Sequence, residues 1–260
     1  GGSVFLFPHP IKELADFLKS YDMHINYDAA HVAGLIAGGG FQDPLREGVD
    51  TMTMSTHKTL FGPQGGLVLA FEKDAEVIKK ATFPGLTSSH HIHHMAAKAV
   101  TFAEALEFGK DYAVQTIKNA KALALALNDL GLKVLGGKKG FTQSHQTVVN
   151  VLDYGDGGKI EADLEKANII VNRQLIPGDI KAKRHYMHPG GIRLGSSEVT
   201  RLGMKESEMQ QIASFIKNVI VDKKDTKDIA KQIIEFRKDY QKTQYCFDNK
   251  LGAYEYVKLR

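Results

Sequence analysis

An α/β fold, a mostly parallel sheet with flanking helices followed by a smaller α+β domain, is what this sequence predicts. Three observations predict it. Short apolar runs alternate with segments of helical period through roughly the first 110 residues. Two of those runs lead into segments rich in residues able to do chemistry, at the place where α/β sheets bind ligands. Beyond Gly131, a natural helix stop, the pattern changes to short strands separated by amphipathic helices.

Taken in order, residues 4–7 read as a short buried strand that Pro8-His9-Pro10 ends. Residues 11–21 follow with Ile11, Leu14, Ala15 and Leu18 at helical spacing. Residues 24–27, 51–54 and 66–71 read as further strands. Residues 90–130 are helical, with a break expected near Gly109, and the domain boundary is placed there, giving 1–110 and 111–260. In the second part, 133–135, 147–153 and 169–172 read as strands, and 158–167, 206–221 and 226–240 as helices. The opening residues show no basic leader segment, so the chain is expected to begin inside a domain.

Composition narrows the function classes. Hydrophobic residues make up 43% and charged residues 25% of 260, the balance of an ordinary globular protein. The net charge of +4 is spread out rather than gathered in a basic stripe, so no nucleic-acid surface is expected. Small anions such as phosphates and carboxylates suit it better. No run reaches the ~18 apolar residues of a membrane helix, so no membrane partner is expected. A single cysteine, Cys246, excludes an internal disulfide and a cysteine-based metal site, and suits a reducing, cytoplasmic setting. His90 and His94 stand four apart, the spacing of two ligands on one helix face, but no third ligand accompanies them, and no metal is expected.

Three constellations carry chemistry. Asn26-Tyr27-Asp28-Ala29-Ala30-His31 closes a strand with a carboxylate that could sit against a pyridine nitrogen and keep it protonated. Ser55-Thr56-His57-Lys58-Thr59, followed by Gly62-Pro63-Gln64-Gly65-Gly66, offers an amine able to form a Schiff base beside hydroxyls and an imidazole. The glycine-rich turn re-enters a strand, so it matches neither a Walker loop nor a dinucleotide fingerprint. Pro189-Gly190-Gly191-Ile192-Arg193-Leu194-Gly195 presents a guanidinium on what reads as a glycine-flanked turn, suited to an amino-acid carboxylate. Singly, each has a plainer reading: a capping aspartate, a surface lysine, a structural arginine.

Together, and in order, Asp28-x-x-His31-x-x-Gly34-Leu35, Thr56-His57-Lys58-Thr59-Leu60-x-Gly62-Pro63-x-Gly65-Gly66 and Gly191-Ile192-Arg193-Leu194-Gly195 resemble the serine hydroxymethyltransferase family. Phe83-Pro84-Gly85, Ala96-Ala97-Lys98-Ala99, the stretch from Asn119 to Ala124, and Val171-Asn172 with Pro177 agree with it, from Gly1 to about residue 220. The resemblance implies the fold-type I pyridoxal-phosphate scaffold, here the C-terminal portion of the large domain and then the small domain. It implies Lys58 as the lysine that bonds pyridoxal 5′-phosphate and Asp28 as partner of the ring nitrogen. His31 and Ser3 would lie near the phenolic oxygen. His57, Gly65 and Gly66 would help hold the cofactor, and Ser55 and Thr56 would assist amine exchange. Ser88 and Ser89, aligned with paired family glycines at a helix start, would face the phosphate of a neighbouring subunit. Arg193 would bind the carboxylate of serine or glycine.

The implied reaction moves a one-carbon unit between serine and a reduced pterin, tetrahydrofolate or a modified carrier, in a homodimer. Gln64 stands where the family commonly has arginine, and Ser196-Ser197-Glu198-Val199 where it commonly has Thr-Pro-Ala, which leaves the pterin open. The family's N-terminal half is not represented. The chain therefore reads as part of a protein of roughly 400 residues and is not expected to turn over alone. Two other readings stay open: an aldolase for 3-hydroxy amino acids or an aminotransferase on the same scaffold, and a non-catalytic dimerisation module. Retention of Asp28, Lys58 and Arg193 together argues against the last.

Overall fold

The computed structural model describes residues 2–250 and 252–253. It is α/β, as expected, and divides into two compact units, Gly1–Val114 and Gln115–Arg260.

In the first unit the order is α1 (Ile11–Leu18), β1 (Asn26–Asp28), α2 (Ala33–Ala37), α3 (Pro44–Glu47), β2 (Thr51–Ser55), β3 (Gly66–Ala70), α4 (Ala75–Lys80) and the start of α5 (Ile92–Asp129). Helix α1 buries Ile11 and Ala15, four apart on one face. Pro44 opens α3, with the Asp43 side chain accepting from the Arg46 backbone N–H. The sheet order is β1-β2-β3. β1 and β2 are parallel, with Asp28 opposite Thr53, whereas β3 returns antiparallel with Gly66 opposite Ser55. In this unit the sheet is therefore mixed. Its buried centre includes Tyr27, Leu35, Val49 and Met52, while β3 is largely exposed.

Two expectations fail here. Residues 4–7 form no strand. Phe5 is buried instead by ring packing, 4.9 Å from His9 and 6.1 Å from Tyr27, so its apolar character reports an anchor rather than a ladder. Nor does the long helix break at Gly109, for α5 is continuous. A Cβ on Gly38 would lie 2.3 Å from the Gly109 carbonyl oxygen, so α2 ends directly against α5. Gly38, with no room for a side chain, permits this approach, and Gly109 sits inside α5 at a helix-propensity cost of about 1 kcal/mol.

In the second unit, the end of α5 leads to β4 (Lys133–Val134), β5 (Gln146–Asn150), α6 (Gly157–Lys166), β6 (Asn172–Gln174), β7 (Gly191–Gly195), α7 (Ser197–Arg201), α8 (Glu206–Ile220) and α9 (Thr226–Arg237). The strands form an antiparallel sheet of order β4-β5-β7-β6. Leu127, Val149, Leu164, Ile192, Met209 and Ile216 join in its core. Residues 191–195, read from their glycines as a turn, are a strand lying between β5 and β6. A Cβ on Gly191 would stand 2.4 Å from Ile176 Cγ2 and 2.9 Å from the Val149 carbonyl oxygen, so this glycine too marks crowding. The strand expected at 169–172 begins only at Asn172. No described helix is long and apolar enough to cross a membrane.

One buried polar residue organises this unit. Asn119, fully buried on α5, donates to Thr200 Oγ1 and to the Met204 carbonyl, both at 2.9 Å, and accepts from Gln115 Nε2. Asn119→Ala leaves these groups without their partner and is expected to cost about 2–3 kcal/mol, read as a lower midpoint in urea unfolding.

Candidate active site

Because β1 and β2 run parallel, their C-terminal ends emerge on the same edge of the sheet, and both chemical segments begin there. Asp28 ends β1. Its Oδ1 accepts the Ala30 backbone N–H at 3.0 Å, while the Ala29 N–H continues the ladder to the Thr53 carbonyl. The carboxylate is thus tied through one oxygen at a half-buried position. Ser55, half-buried, ends β2, and buried Thr56 follows it.

Residues 56–66 close on themselves. The Thr56 N–H donates to the Gly65 carbonyl at 3.0 Å, the Gly62 N–H to the Thr56 carbonyl at 2.7 Å, and Thr56 Oγ1 to the Pro63 carbonyl at 2.7 Å. The Phe61 N–H bonds the Lys58 carbonyl at 2.9 Å. His57 and Lys58 are exposed between buried Thr56 and buried Thr59. The lysine therefore has a fixed backbone and a free-standing amine, the arrangement a covalent cofactor requires.

Thr59 ties this loop to the segment after β1. Its hydroxyl donates to the His31 carbonyl and accepts the Gly34 N–H, both at 3.0 Å. A Cβ on Gly34 would lie 2.0 Å from the Thr59 carbonyl oxygen, so the two segments meet backbone to backbone. Lys98, half-buried on α5, reaches the glycine turn: its Nζ is 3.4 Å from the Gly66 carbonyl oxygen and would be 2.5 Å from a Cβ on Gly65. Thr59 and Lys98 stand within the sequence motifs, but the motifs give neither a task. A hydroxyl beside the lysine is the only signal that could have marked Thr59.

Ser3 is exposed ahead of α1, apart in sequence from both strand ends. Ser88 and Ser89 are exposed in irregular chain. The helix starts at Ile92, so they lie ahead of it rather than in its first turn, and no helix N-terminus aligns their N–H groups. His90 is outside the helix for the same reason, so His90 and His94 do not share a helix face. The rings that meet are His91, His93 and His94, with His93 and His94 at 4.3 Å.

In the second unit Arg193 sits at the middle of β7, half-buried, opposite Asn172 of β6. Its Nη2 donates to Asn172 Oδ1 at 3.0 Å. Burial draws its pKa below the ordinary arginine value, though a guanidinium this basic stays charged and gains by meeting an anion. The chain entering β7 is fixed by buried Asp179, whose Oδ2 accepts the Ile176 and Gly190 N–H groups at 2.9 and 2.8 Å. Sequence reading gave Asp179 no part.

A carboxylate and a lysine following adjacent parallel strands of an α/β sheet are what the resemblance to fold-type I pyridoxal-phosphate proteins implies. Comparison refines the class. The family model for serine hydroxymethyltransferase matches residues 7–216. The chain is 79% identical over 260 residues to the serine hydroxymethyltransferase of Nitrosopumilus maritimus and 54% identical over 257 residues to that of Korarchaeum cryptofilum. These alignments cover 100% and 98% of this chain and 59% of each relative. The structure matches a crystal structure of L-threonine transaldolase from Pseudomonas fluorescens in its internal aldimine state, with a TM-score of 0.85 and 35% identity over 96% of this chain and 56% of that one. The chain belongs to the serine hydroxymethyltransferase family, of whose curated members it spans about three-fifths.

Proposed function

We propose that the protein to which this chain belongs binds pyridoxal 5′-phosphate on Lys58 and transfers a hydroxymethyl unit between serine and a reduced pterin, giving glycine. The observation that carries the proposal is the pairing of Asp28 and the Lys58 loop at the ends of β1 and β2, tied by Thr59. The site fits the group: a carboxylate tied through one oxygen only, an exposed amine on a fixed loop, and glycines with no room for a Cβ at positions 34 and 62.

The cofactor, when bound, supplies an electron sink for the pair left when a bond at the amino acid's Cα breaks. The remaining tasks belong to the chain. Asp28 holds a proton at the ring nitrogen by its charge. Thr56 has committed its hydroxyl proton to Pro63, so towards an amine it can only accept. Ser55 and Thr56 support amine exchange at Lys58, Thr56 only as a hydrogen-bond acceptor, while His31, His57, Gly65, Gly66 and Ser3 hold the cofactor. Arg193, steadied by Asn172, takes the amino-acid carboxylate. Ser88 and Ser89 serve the phosphate of a neighbouring subunit in a cytoplasmic homodimer. The first unit belongs to the large cofactor domain and the second forms the small one, and turnover needs the full length of the protein.

Likeness to a threonine transaldolase supports a second reading, aldol cleavage of 3-hydroxy amino acids without a pterin. Pterin dependence of serine cleavage by the whole protein separates the two. The proposal itself is tested by visible absorption of the chain with pyridoxal phosphate, before and after glycine. A band in the native chain, absent in Lys58→Ala and shifted by glycine, is expected. Arg193→Lys should keep the band and need at least about tenfold more glycine, because a point charge replaces a bidentate fork. A band of equal size in Lys58→Ala would overturn the assignment of the lysine.

A further inference from the structure

The opposite end of the first unit's sheet carries a second group of ligating side chains. β1 and β2 begin at Asn26 and Thr51, and β3 runs the other way and ends at Ala70. The residues just before β1 and β2 and just after β3 therefore gather at the edge remote from Asp28 and Ser55. They include His24, Asp50 and Asp74, and one ligand atom from each lies within 4.8 Å of the others. We propose that His24, Asp50 and Asp74 form a binding site for a divalent transition-metal ion, zinc being the best match.

The chemistry of the set points to the ion. One imidazole with two carboxylates is a borderline-soft mixture that suits zinc, and manganese or cobalt next, better than the all-oxygen cages of calcium or magnesium. Tetrahedral zinc, with ligands at about 2.0–2.2 Å, needs its donors about 3.4 Å apart, so the group must close by up to about 1.4 Å. Exposed His24 can make that movement by side-chain rotation. Three protein ligands leave a position for water.

The surroundings are those of an outer shell. Asp50 Oδ2 accepts the Ile25 N–H at 2.9 Å, and its Oδ1 faces Lys73 Nζ at 2.9 Å. The backbone bond and the ammonium together fix where this carboxylate points. His24 Nε2 lies 3.2 Å from Thr51 Oγ1, whose own proton goes to Asn26. Such hydrogen bonds orient metal ligands. Most telling is Asp74. Its Oδ2 is buried yet accepts no hydrogen bond, and the Lys73 ammonium stands 4.0 Å away. A buried carboxylate oxygen without a partner is costly unless something fills the place. Lys73, hydrogen-bonded to Asp50 Oδ1 but with 65% of its side chain exposed, is a competing cation that can swing into solvent when the ion enters.

The three ligands come from positions 24, 50 and 74, one from each strand end, so no local spacing announced them. The test is a titration of the full chain, stripped of metal by chelator, with zinc chloride by calorimetry, repeated with cobalt by visible absorption. One ion per chain is expected, with an imidazole-containing cobalt spectrum. His24→Ala and Asp74→Asn should each weaken binding at least about tenfold. Lys73→Gln should tighten it, since the competing cation is gone, and this exposed substitution also guards against a ligand variant that fails to fold. Replacing His91, His93 and His94 together by alanine should change nothing. Absence of binding at ~100 µM zinc, unchanged affinity in His24→Ala and Asp74→Asn, or loss of binding in the triple variant would each overturn the proposal.

Discussion

Gly34→Ala is expected to destabilise the chain by about 3 kcal/mol or more, well above the usual single-site effect. The added methyl would stand 2.0 Å from the Thr59 carbonyl oxygen, 2.3 Å from its carbon and 2.8 Å from the Leu60 nitrogen. All three are backbone atoms, so no flexible side chain can yield. Either α2 or the lysine loop must move, and the hydrogen bond from the Gly34 N–H to Thr59 Oγ1 goes with it. Thermal unfolding followed by circular dichroism should show a midpoint lower by about 6–12 °C. The same variant should lose the cofactor absorption band, because the loop that fixes Lys58 is displaced. Gly2→Ala, with nothing within 4 Å of the new carbon, is the control and should match the native chain. A loss below about 1 kcal/mol for Gly34→Ala would show that the close approach is not rigid.

Asp28→Asn should do the reverse: leave the fold alone and stop the chemistry. Asparagine keeps an Oδ1 able to accept the Ala30 N–H, so stability should stay within about 0.5 kcal/mol. What disappears is the charge proposed to keep the cofactor's ring nitrogen protonated. In the whole protein, exchange of glycine's α-proton for deuterium, followed by NMR, should slow by at least about 10³-fold, equivalent to about 4 kcal/mol of barrier. Cofactor should remain bound through Lys58. Exchange within about threefold of the native rate would remove Asp28 from the proposed role.

These two positions also divide what the sequence made legible from what it did not. Asp28 and Lys58 could be read because each directly follows a short apolar run, and strand ends are where an α/β fold collects its reactive groups. The knot joining them could not. Thr59 meets Gly34 and His31 across 25 and 28 positions, and hydrogen bonds between separate loops leave no periodic trace. The misread elements share one cause. Gly109 and the glycines of 190–195 read as interruptions, whereas Gly109 lies within a continuous helix and at Gly191 the missing side chain admits Ile176. Composition cannot distinguish a glycine that bends the chain from one that makes room. Residues 4–7 failed differently: Phe5 is buried as a ring among rings, and apolar character alone does not supply a partner strand. Asp179 stayed silent because its task, holding two backbone N–H groups, begins only once the turn exists.

The third strand carries a practical consequence. β3 is the outer strand of its sheet, and Val68 and Leu69, on opposite faces, are each about two-fifths exposed. An unpaired apolar edge is a template on which another strand can anneal, and identical copies supply the most abundant strand in solution. Handled by itself, this chain is thus a colloid with a sticky seam. Charge placed along that seam is expected to slow aggregation of the isolated chain.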